Sequence, residues 1–537
     1  MNINKTIELA RIDINNGHLV SAKSLIQKAL IYDQNNAQAN HFMGVIQSSL
    51  KNYKDSLLYL ERAVKLEPRL TEAKFNLGKA YRNLKDYKNA VKVFAEITEA
   101  NPSDAKTWLE LAMAQEKLGD LDNTIQSLGK AVDAKLETYN LLCKMGSLHM
   151  DKSDYHSAKG YFLKAIKMNA KKELAWINLA ISYENLCMPH KSIEIYKKLC
   201  AKDTPAPQAE LRLALTLLSQ GKMKEGWKYY QNRSNWKETN TSHGQLDTKF
   251  WDGQDLTNKS ILIWTEQGPG DEILTGSMIP EIIARQTSVS IACSPKIAPL
   301  FQRTFPKCNI IQKKENSLPL DIIGKPDYQA SITELGENTR NHLTKFTASR
   351  PYLTLNTNCV ELLKKRYNSG QSDIPIIGIS WKSANKKTSK NKSTELNQWY
   401  PILSQKNAHF VCLQYGNTEK ERKIFTEQCN QEIIYDPDIN QLENIDLFAH
   451  QVAAMDLIIS TSNTTVHVAG GVGTTTWAII PEGTGKPWYW FLDRKDCLWY
   501  PSVSFYRQKK SGDWHHPLTE INKTLSQWIK HWTSQKH

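Results

Sequence analysis

The first half of the chain carries small and large apolar positions that recur every 34 residues. Small residues fall at Ala10, Gly44, Gly78, Ala112, Gly146, Ala180 and Ala214 without a slip in register. Twelve positions on, a second, mostly small column runs Ala22, Ser56, Ala90, Thr124, Ala158, Ser192 and Gly226. A third reads Ala29, Ala63, Ile97, Ala131, Ala165 and Leu199 before it breaks at Arg233. Larger residues sit between them, at Leu60, Phe94, Leu128, Phe162 and Tyr196, and Pro68 and Pro102 punctuate two repeat ends. This spacing predicts pairs of antiparallel helices, brought close by the small residues, with the large ones filling the gaps between neighbouring pairs. Six repeats and a degenerate seventh, residues 1–235, are expected to stack into a superhelix whose concave face holds a peptide or protein segment.

Past residue 235 the period fails. Residues 236–258 are polar, most of all Lys237-Glu-Thr-Asn-Thr-Ser-His-Gly244, and read as a connector. A flexible hinge and a packed connector both fit, and Trp236, Phe250 and Trp251 favour the packed one, since three large apolar groups are costly to leave in water. From Ser260 onward short β-rich runs alternate with helix-like stretches, the pattern of parallel sheets with crossover helices. A first unit, 259–372, offers strands at Ile261–Trp264, Val289–Ala292, Ile310–Gln312 and Tyr352–Leu355, then a helix over Glu361–Tyr367. The polar run Asn368–Asp373 leads to a second unit, 373–515. Its strands are expected at Ile374–Trp381, Phe410–Gln414, Ile433–Tyr435, Leu457–Ser460 and Thr476–Ile480. A closing helix, around Leu518–Trp532, occupies 516–537. Two such units in tandem leave a cleft at the carboxyl ends of their strands, where ligands of this class bind.

Trp108, Leu111, Trp176, Leu179 and Tyr183 stand at positions where the repeat resembles the tetratricopeptide repeat. Trp264-Thr-Glu-Gln-Gly-Pro-Gly-Asp-Glu272 resembles the glycine-rich first loop of the heptosyltransferase-like (family 9) glycosyltransferases, and Asp456–Gly471 resembles their donor-binding loop. The segments Trp490–Tyr500 and Phe505–Trp514 are similar to bacterial proteins that join these repeats to such a domain. Among those are flagellin glycosyltransferases that load a sialic-acid-like nonulosonate. The resemblance implies a multidomain chain, an all-α tetratricopeptide superhelix followed by an α/β GT-B fold of two Rossmann-like domains. It also implies a cytoplasmic, metal-independent, inverting-type enzyme. Its donor would be a nucleotide-sugar, a CMP-linked pseudaminic or legionaminic acid, and its acceptor Ser or Thr of a protein held by the repeats, flagellin. Two other readings stand beside it. One is a hexosaminyltransferase like the O-GlcNAc transferases, which share the two-part architecture but whose signature segments are not visible here. The other is an interaction scaffold whose transferase fold is inactive.

Moving a sugar from a nucleotide to a hydroxyl needs a base close to that hydroxyl. In the resembling family the Asp of a Gly-Asp pair fills this role, and Asp271 is the matching position. Glu272 and then Glu266 are the next carboxylates. Asp271 and Glu272 are equally well explained as first-turn acids beside a helix dipole. Gly268 and Gly270 are expected to let the backbone approach a ligand. Ser462, Asn463, Thr464 and Thr465 offer hydroxyls and N–H groups to a donor phosphate at a helix start, with His467 one turn in and Gly470 beyond it. An ordinary N-cap and a buried histidine would look the same. The resembling enzymes carry Asp where this chain has Ser462, which leaves the sugar open. Lys382 heads a loop, 382–392, that holds five lysines and no acid. Such a loop suits negative charge building on a leaving group. Asp436-Pro-Asp438 mimics a metal-binding motif of a different transferase fold and reads as a turn. No metal and no cofactor are expected.

The net charge of +14 changes this picture little. Residues 1–235 hold 35 Lys and Arg against 25 Asp and Glu, but the lysines are interleaved with acids, the pattern of a solvated surface rather than a nucleic-acid site. Asn76 and Asn178 share one repeat position with Glu8, Phe42, Glu110, Lys144 and Arg212, so no asparagine ladder exists to grip any peptide backbone, which favours one particular partner. Nine scattered cysteines without a CxxC pair suggest neither a disulfide framework nor a zinc site. No apolar run is long enough for membrane insertion, and Met1–Lys5 leads straight into an amphipathic pattern rather than a signal peptide.

Overall fold

A computed structural model of the chain describes residues 2–202, 206–232, 247–313, 324–368, 370–371, 373–383, 389–483 and 486–536. It divides into two compact units, Met1–Ser182 and Tyr183–His537. Fourteen described helices precede the first strand, from α1 (Ile3–Asn15) to α14 (Met223–Tyr230).

The small-residue columns have the packing reason that the period implies. A Cβ on Gly78 would lie 2.6 Å from the Phe94 ring, one on Gly146 2.5 Å from Phe162, and one on Gly44 2.5 Å from Leu60. Each glycine on a first helix is therefore the seat of the large residue sixteen positions on. A further column was not read in the sequence. The residue ending each first helix is left-handed at Gly17, Lys51, Lys85, Gly119, Ser153, Cys187 and Gly221, again every 34 positions, with φ between 57° and 79°. Only three of the seven are glycine, so the signal is diluted. Where a side chain stands there it costs conformational energy. Lys85→Gly is expected to stabilise the fold by about 0.5–1 kcal/mol, less the chain entropy that glycine adds to the unfolded state. Lys92→Gly, on the exposed face of α6 (Tyr87–Ala100), should cost about 1 kcal/mol. Urea unfolding midpoints of the two variants, moving in opposite directions, check this.

In the second unit α12 (Pro189–Cys200), α13 (Pro207–Ser219) and α14 precede two parallel sheets. The first comprises β1 (Lys249–Phe250), β2 (Ser260–Trp264), β3 (Ser288–Cys293), β4 (Asn309–Gln312) and β5 (Tyr328–Ser331), in the order β1-β5-β2-β3-β4. The second comprises β6 (Ile376–Ser380), β7 (His409–Cys412), β8 (Ile433–Ile434), β9 (Leu457–Thr461), β10 (Thr476–Ile480) and β11 (Val503–Arg507), in the order β11-β10-β9-β6-β7-β8. The helices of the first sheet are α15 (Pro269–Gly276), α16 (Ile279–Ile283), α17 (Ala298–Thr304), α18 (Leu335–Thr339) and α19 (Thr357–Asn368). Those of the second are α20 (Ser389–Lys392), α21 (Tyr400–Leu403), α22 (Glu419–Cys429), α23 (Ile445–Ala453), α24 (Thr464–Val472) and the closing α25 (His515–Ser534). The architecture is thus the expected one, a helical repeat region followed by two Rossmann-like sheets.

Strand order locates the crevices. In sheet one the chain steps outward from β2 through β3 to β4 and then returns to β5 on the other side of β2, so the direction of progression reverses between β2 and β5. In sheet two the same happens between β6 and β9. Ligand crevices open at such switch points, beyond the carboxyl ends of the strands.

Four strand assignments differ from the sequence pattern. Tyr352–Leu355 is extended but unladdered. Its N–H groups at Tyr352 and Leu353 both donate to Gly471 O, at 2.9 and 3.0 Å, and Tyr352 Oη donates to Ile273 O. It is a latch joining α15 to α24. The ladder position it was expected to hold belongs to β5, whose Tyr-Gln-Ala-Ser carries little apolar signal. Its Gln329 is buried because the amide donates to Thr248 O at 2.6 Å. The end of the connector is itself strand β1, paired to β5, with Trp251 buried behind it and Phe250 edge-on to Trp264. Trp236 lies outside the described residues. β11 was missed altogether.

The compact division falls inside the repeats, between Ser182 and Tyr183. One apolar cluster runs from Leu211, Leu218 and Trp227 of the last repeat through Ile261 and Ile273 to Ile458 and Trp499. Trp227 lies on Gly336 of α18, where a Cβ would collide with the indole, and its Nε1 donates to Arg340 O at 3.0 Å.

Candidate active site

α15 follows β2 at the switch point of the first sheet, and α24 follows β9 at that of the second. The two helix starts meet. A Cβ on Gly270 would lie 2.9 Å from the His467 ring and 3.5 Å from Thr464 Oγ1. Gly270 therefore allows close contact between the two domains. Gly470 is explained in the same way, since a Cβ there would collide with the Tyr500 ring. Gly268 is the N-cap of α15 with open space around it, directly after Gln267, which is left-handed at φ 62°. A strained turn of this kind is a common price of function.

The three carboxylates expected near this turn separate cleanly. Glu272 is 1% exposed and receives Thr265 Oγ1, Ser294 Oγ (2.5 Å) and Ser294 N (3.0 Å). Glu266 is also buried and accepts from Thr333 Oγ1 at 3.1 Å. Both brace the first sheet. Asp271 is half-buried, and its carboxyl is raised to about 6, by loss of hydration first, against the opposing charge of Lys392. A carboxylate so placed is a base near neutral pH.

Of the loop lysines, Lys382 is paired to Glu421 at 2.5 Å. Among the described loop lysines, Lys392 at the end of α20 is the one whose charge acts on Asp271 and His467, and burial lowers its own pKa. Nothing in the sequence distinguished it from its neighbours. Lys386 and Lys387 lie outside the described residues.

The donor-loop residues divide as well. Ser462 is buried and accepts from Trp490 Nε1 at 2.8 Å. Asn463 caps α24 by accepting from Thr465 N at 2.9 Å, while its amide donates to Ser380 Oγ (2.8 Å) and Lys382 O (3.0 Å). It holds the two sides of the switch point together. Thr464 is partly open, and Thr465 Oγ1 is buried with no hydrogen-bond partner among the described residues. His467 lies in an aromatic box, stacked on Trp490 (centroids 5.0 Å, planes 17° apart), edge-on to Tyr489 (5.2 Å), with Nδ1 3.3 Å from Tyr500 Oη. Burial, helped by Lys392, lowers its pKa to about 3, so the ring is neutral.

A cleft of about 740 Å³ lies past the ends of β7 and β8, between Asn417, Thr418, Arg422, Tyr435 and Gln441. The Arg422 guanidinium lies 4.3 Å over the Tyr435 ring, and Gln441 Nε2 is buried without a partner among the described residues. A flat polar ring finds both a stacking surface and an amide there. This site has no motif and was not read in the sequence. Gln414 and Tyr415 tie it to the switch point, Gln414 Oε1 accepting from Lys382 N at 2.7 Å and Tyr415 Oη donating to Lys382 O at 3.0 Å. Asp436 is a buried turn carboxylate after β8, held by Arg366 (2.9 and 3.1 Å) and Tyr367 Oη (2.7 Å). Among the described residues no three His, Cys, Asp or Glu side chains gather as a metal site, and no helix is long and apolar enough to cross a membrane.

Comparison with known proteins places the repeats. The tetratricopeptide-repeat family model matches residues 139–172, and the model described as anaphase-promoting complex, cyclosome, subunit 3 matches residues 49–131. Protein FlbA of Caulobacter vibrioides is 29% identical over 325 residues, 58% of this chain and 54% of that protein. The chain thus spans about half the length of the curated relative it matches. Among solved structures, MamA from Desulfovibrio magneticus RS-1 is 21% identical over 32% of this chain and 97% of its own, with a TM-score of 0.30. Pseudomonas aeruginosa PilF is 14% identical over 40% of this chain and 96% of its own, with a TM-score of 0.33.

Proposed function

We propose that the second unit is a glycosyltransferase of the GT-B kind, moving a sugar from a nucleotide to a hydroxyl of a protein recruited by the repeats. The observation that carries this is the meeting of the two switch points. Gly270, next to Asp271 at one, stands against the start of α24 at the other. In this reading Asp271 takes the acceptor proton as the acceptor oxygen bonds to the anomeric carbon. The carbon–oxygen bond to the phosphate breaks, and the leaving phosphate keeps the electron pair. Lys392 and the first turn of α24 stabilise that charge. His467, neutral, serves as a hydrogen-bonding group, and the cleft at Arg422 and Gln441 takes the donor's base. The donor is a CMP-nonulosonate and the acceptor flagellin, which rests on the resemblance of the loops and the tail segments.

One observation favours the scaffold reading. Ser462 and Lys382, both expected at a donor phosphate, are taken by Trp490 and Glu421. Calorimetric titration with CMP, UDP, ADP and GDP separates the two. Binding of one nucleotide, lost in Gln441→Ala, supports the transferase, and no binding by any of them leaves the scaffold. For the acceptor, intact-mass analysis of flagellin from cells with and without this protein should differ by whole sugar residues. Equal masses rule out flagellin.

A further inference from the structure

The turn Trp488–Trp490 joins the last repeat to the proposed catalytic cleft. On one side Trp488 meets Trp227 edge-on at 5.4 Å and Tyr230 at 6.2 Å, both from α14. On the other, Trp490 stacks on His467 and Tyr489 abuts the same ring. The turn is held hard. Arg507 Nη2 donates to Trp490 O at 2.6 Å, Trp490 Nε1 donates to Ser462, and Phe491 closes the turn in a left-handed conformation at φ 52°. Tyr489 is the member of the turn that the site does not otherwise use. Unlike Trp490 it is only half-buried, and its hydroxyl makes no hydrogen bond among the described residues. Burial first, and then the nearby Asp271 carboxylate and Tyr230, push its phenol well above the ordinary range, so it remains a donor at any working pH.

Tyr489 thus lies beside both the proposed base and Tyr230 of the last repeat helix, and is itself partly exposed. Resting on the transferase reading above, we infer that Tyr489 is an acceptor-binding residue, donating its hydroxyl hydrogen to the incoming protein segment, and that Tyr230 of α14 forms the adjoining wall. The acceptor it fits is an extended backbone or a side-chain hydroxyl, either of which offers the oxygen a phenol needs. The last repeat is then part of the acceptor site itself, whatever the earlier repeats bind.

Tyr489→Phe tests this, because it removes one oxygen and keeps the ring against His467 and Trp490. With CMP-pseudaminic or CMP-legionaminic acid as donor and flagellin as acceptor, KM for flagellin should rise about five- to tenfold, the loss expected for one hydrogen bond. KM for the donor should move less than twofold. An unchanged flagellin KM in an active Tyr489→Phe enzyme overturns the inference alone. A rise in donor KM instead assigns Tyr489 to the other substrate and overturns it too. No transfer by the wild-type chain overturns the assignment of this donor and acceptor, and the inference with it.

Discussion

Asp271→Asn is expected to lower transfer by about 10²–10⁴-fold, the usual contribution of a positioned general base. Nucleotide binding at the Arg422 cleft should be unaffected. The amide keeps the shape of the carboxylate but cannot take a proton. Because Asp271 is raised to about 6, the wild-type kcat/KM should fall about tenfold per pH unit as pH drops below 6 and be flat above it. Stability runs the other way. A carboxyl whose pKa is higher folded than unfolded binds more protons in the folded state between about 4 and 6. The wild-type fold therefore gains stability, relative to Asp271→Asn, as pH falls through that window, and the gain disappears as pH rises. A pH–rate profile and paired unfolding curves at pH 4.5 and 7.5 read both signs. Full activity in Asp271→Asn removes it from the base role.

Trp227→Ala is expected to cost about 3–5 kcal/mol, at the upper end for a core truncation. The indole is 2% exposed, fills the space that Gly336 leaves, and satisfies Arg340 O. Removing it opens a cavity and strands a buried carbonyl together. Trp108, partly exposed in a repeat of the first unit with Nε1 donating to Pro102 O, should cost about 1–2 kcal/mol when truncated. Thermal unfolding of both variants measures the difference. A Trp227→Ala chain as stable as Trp108→Ala would mean that the last repeat is not part of the sheets' core. Transfer should also fall in Trp227→Ala, since Trp488 loses its partner.

The repeats were legible because their packing rule is local. A glycine and the ring seated on it are sixteen residues apart, so the period writes the contact into the sequence. The alternation of β-rich runs with helices was legible for the same reason, each strand being apolar on both faces, as in Ile376–Ile379 and Leu457–Ile459. Where a strand is held by partners far along the chain, the pattern fails. β5 is polar and is stabilised by β1 and β2, which no periodicity announces. Tyr352–Leu355 looks like a strand but spends its N–H groups on Gly471.

The chemistry divides along the same line. The residues themselves announced a carboxylate after a glycine-rich turn and a Ser-Asn-Thr-Thr loop before a histidine. They did not announce that Glu272 is consumed by Thr265 and Ser294 while Asp271 stays open. Nor did they announce that Lys392 rather than Lys382 has its charge free to act on the site, or that Gly270 and Gly470 serve the His467 and Tyr500 rings. By itself the sequence determined the repeat, the two sheets and the helix starts that face the crevices, because those follow from short-range periodicity. Only the tertiary structure decided which of several equivalent side chains meets the cleft. Burial and pairing across 80 or 190 residues of chain set that choice, and no local pattern encodes it.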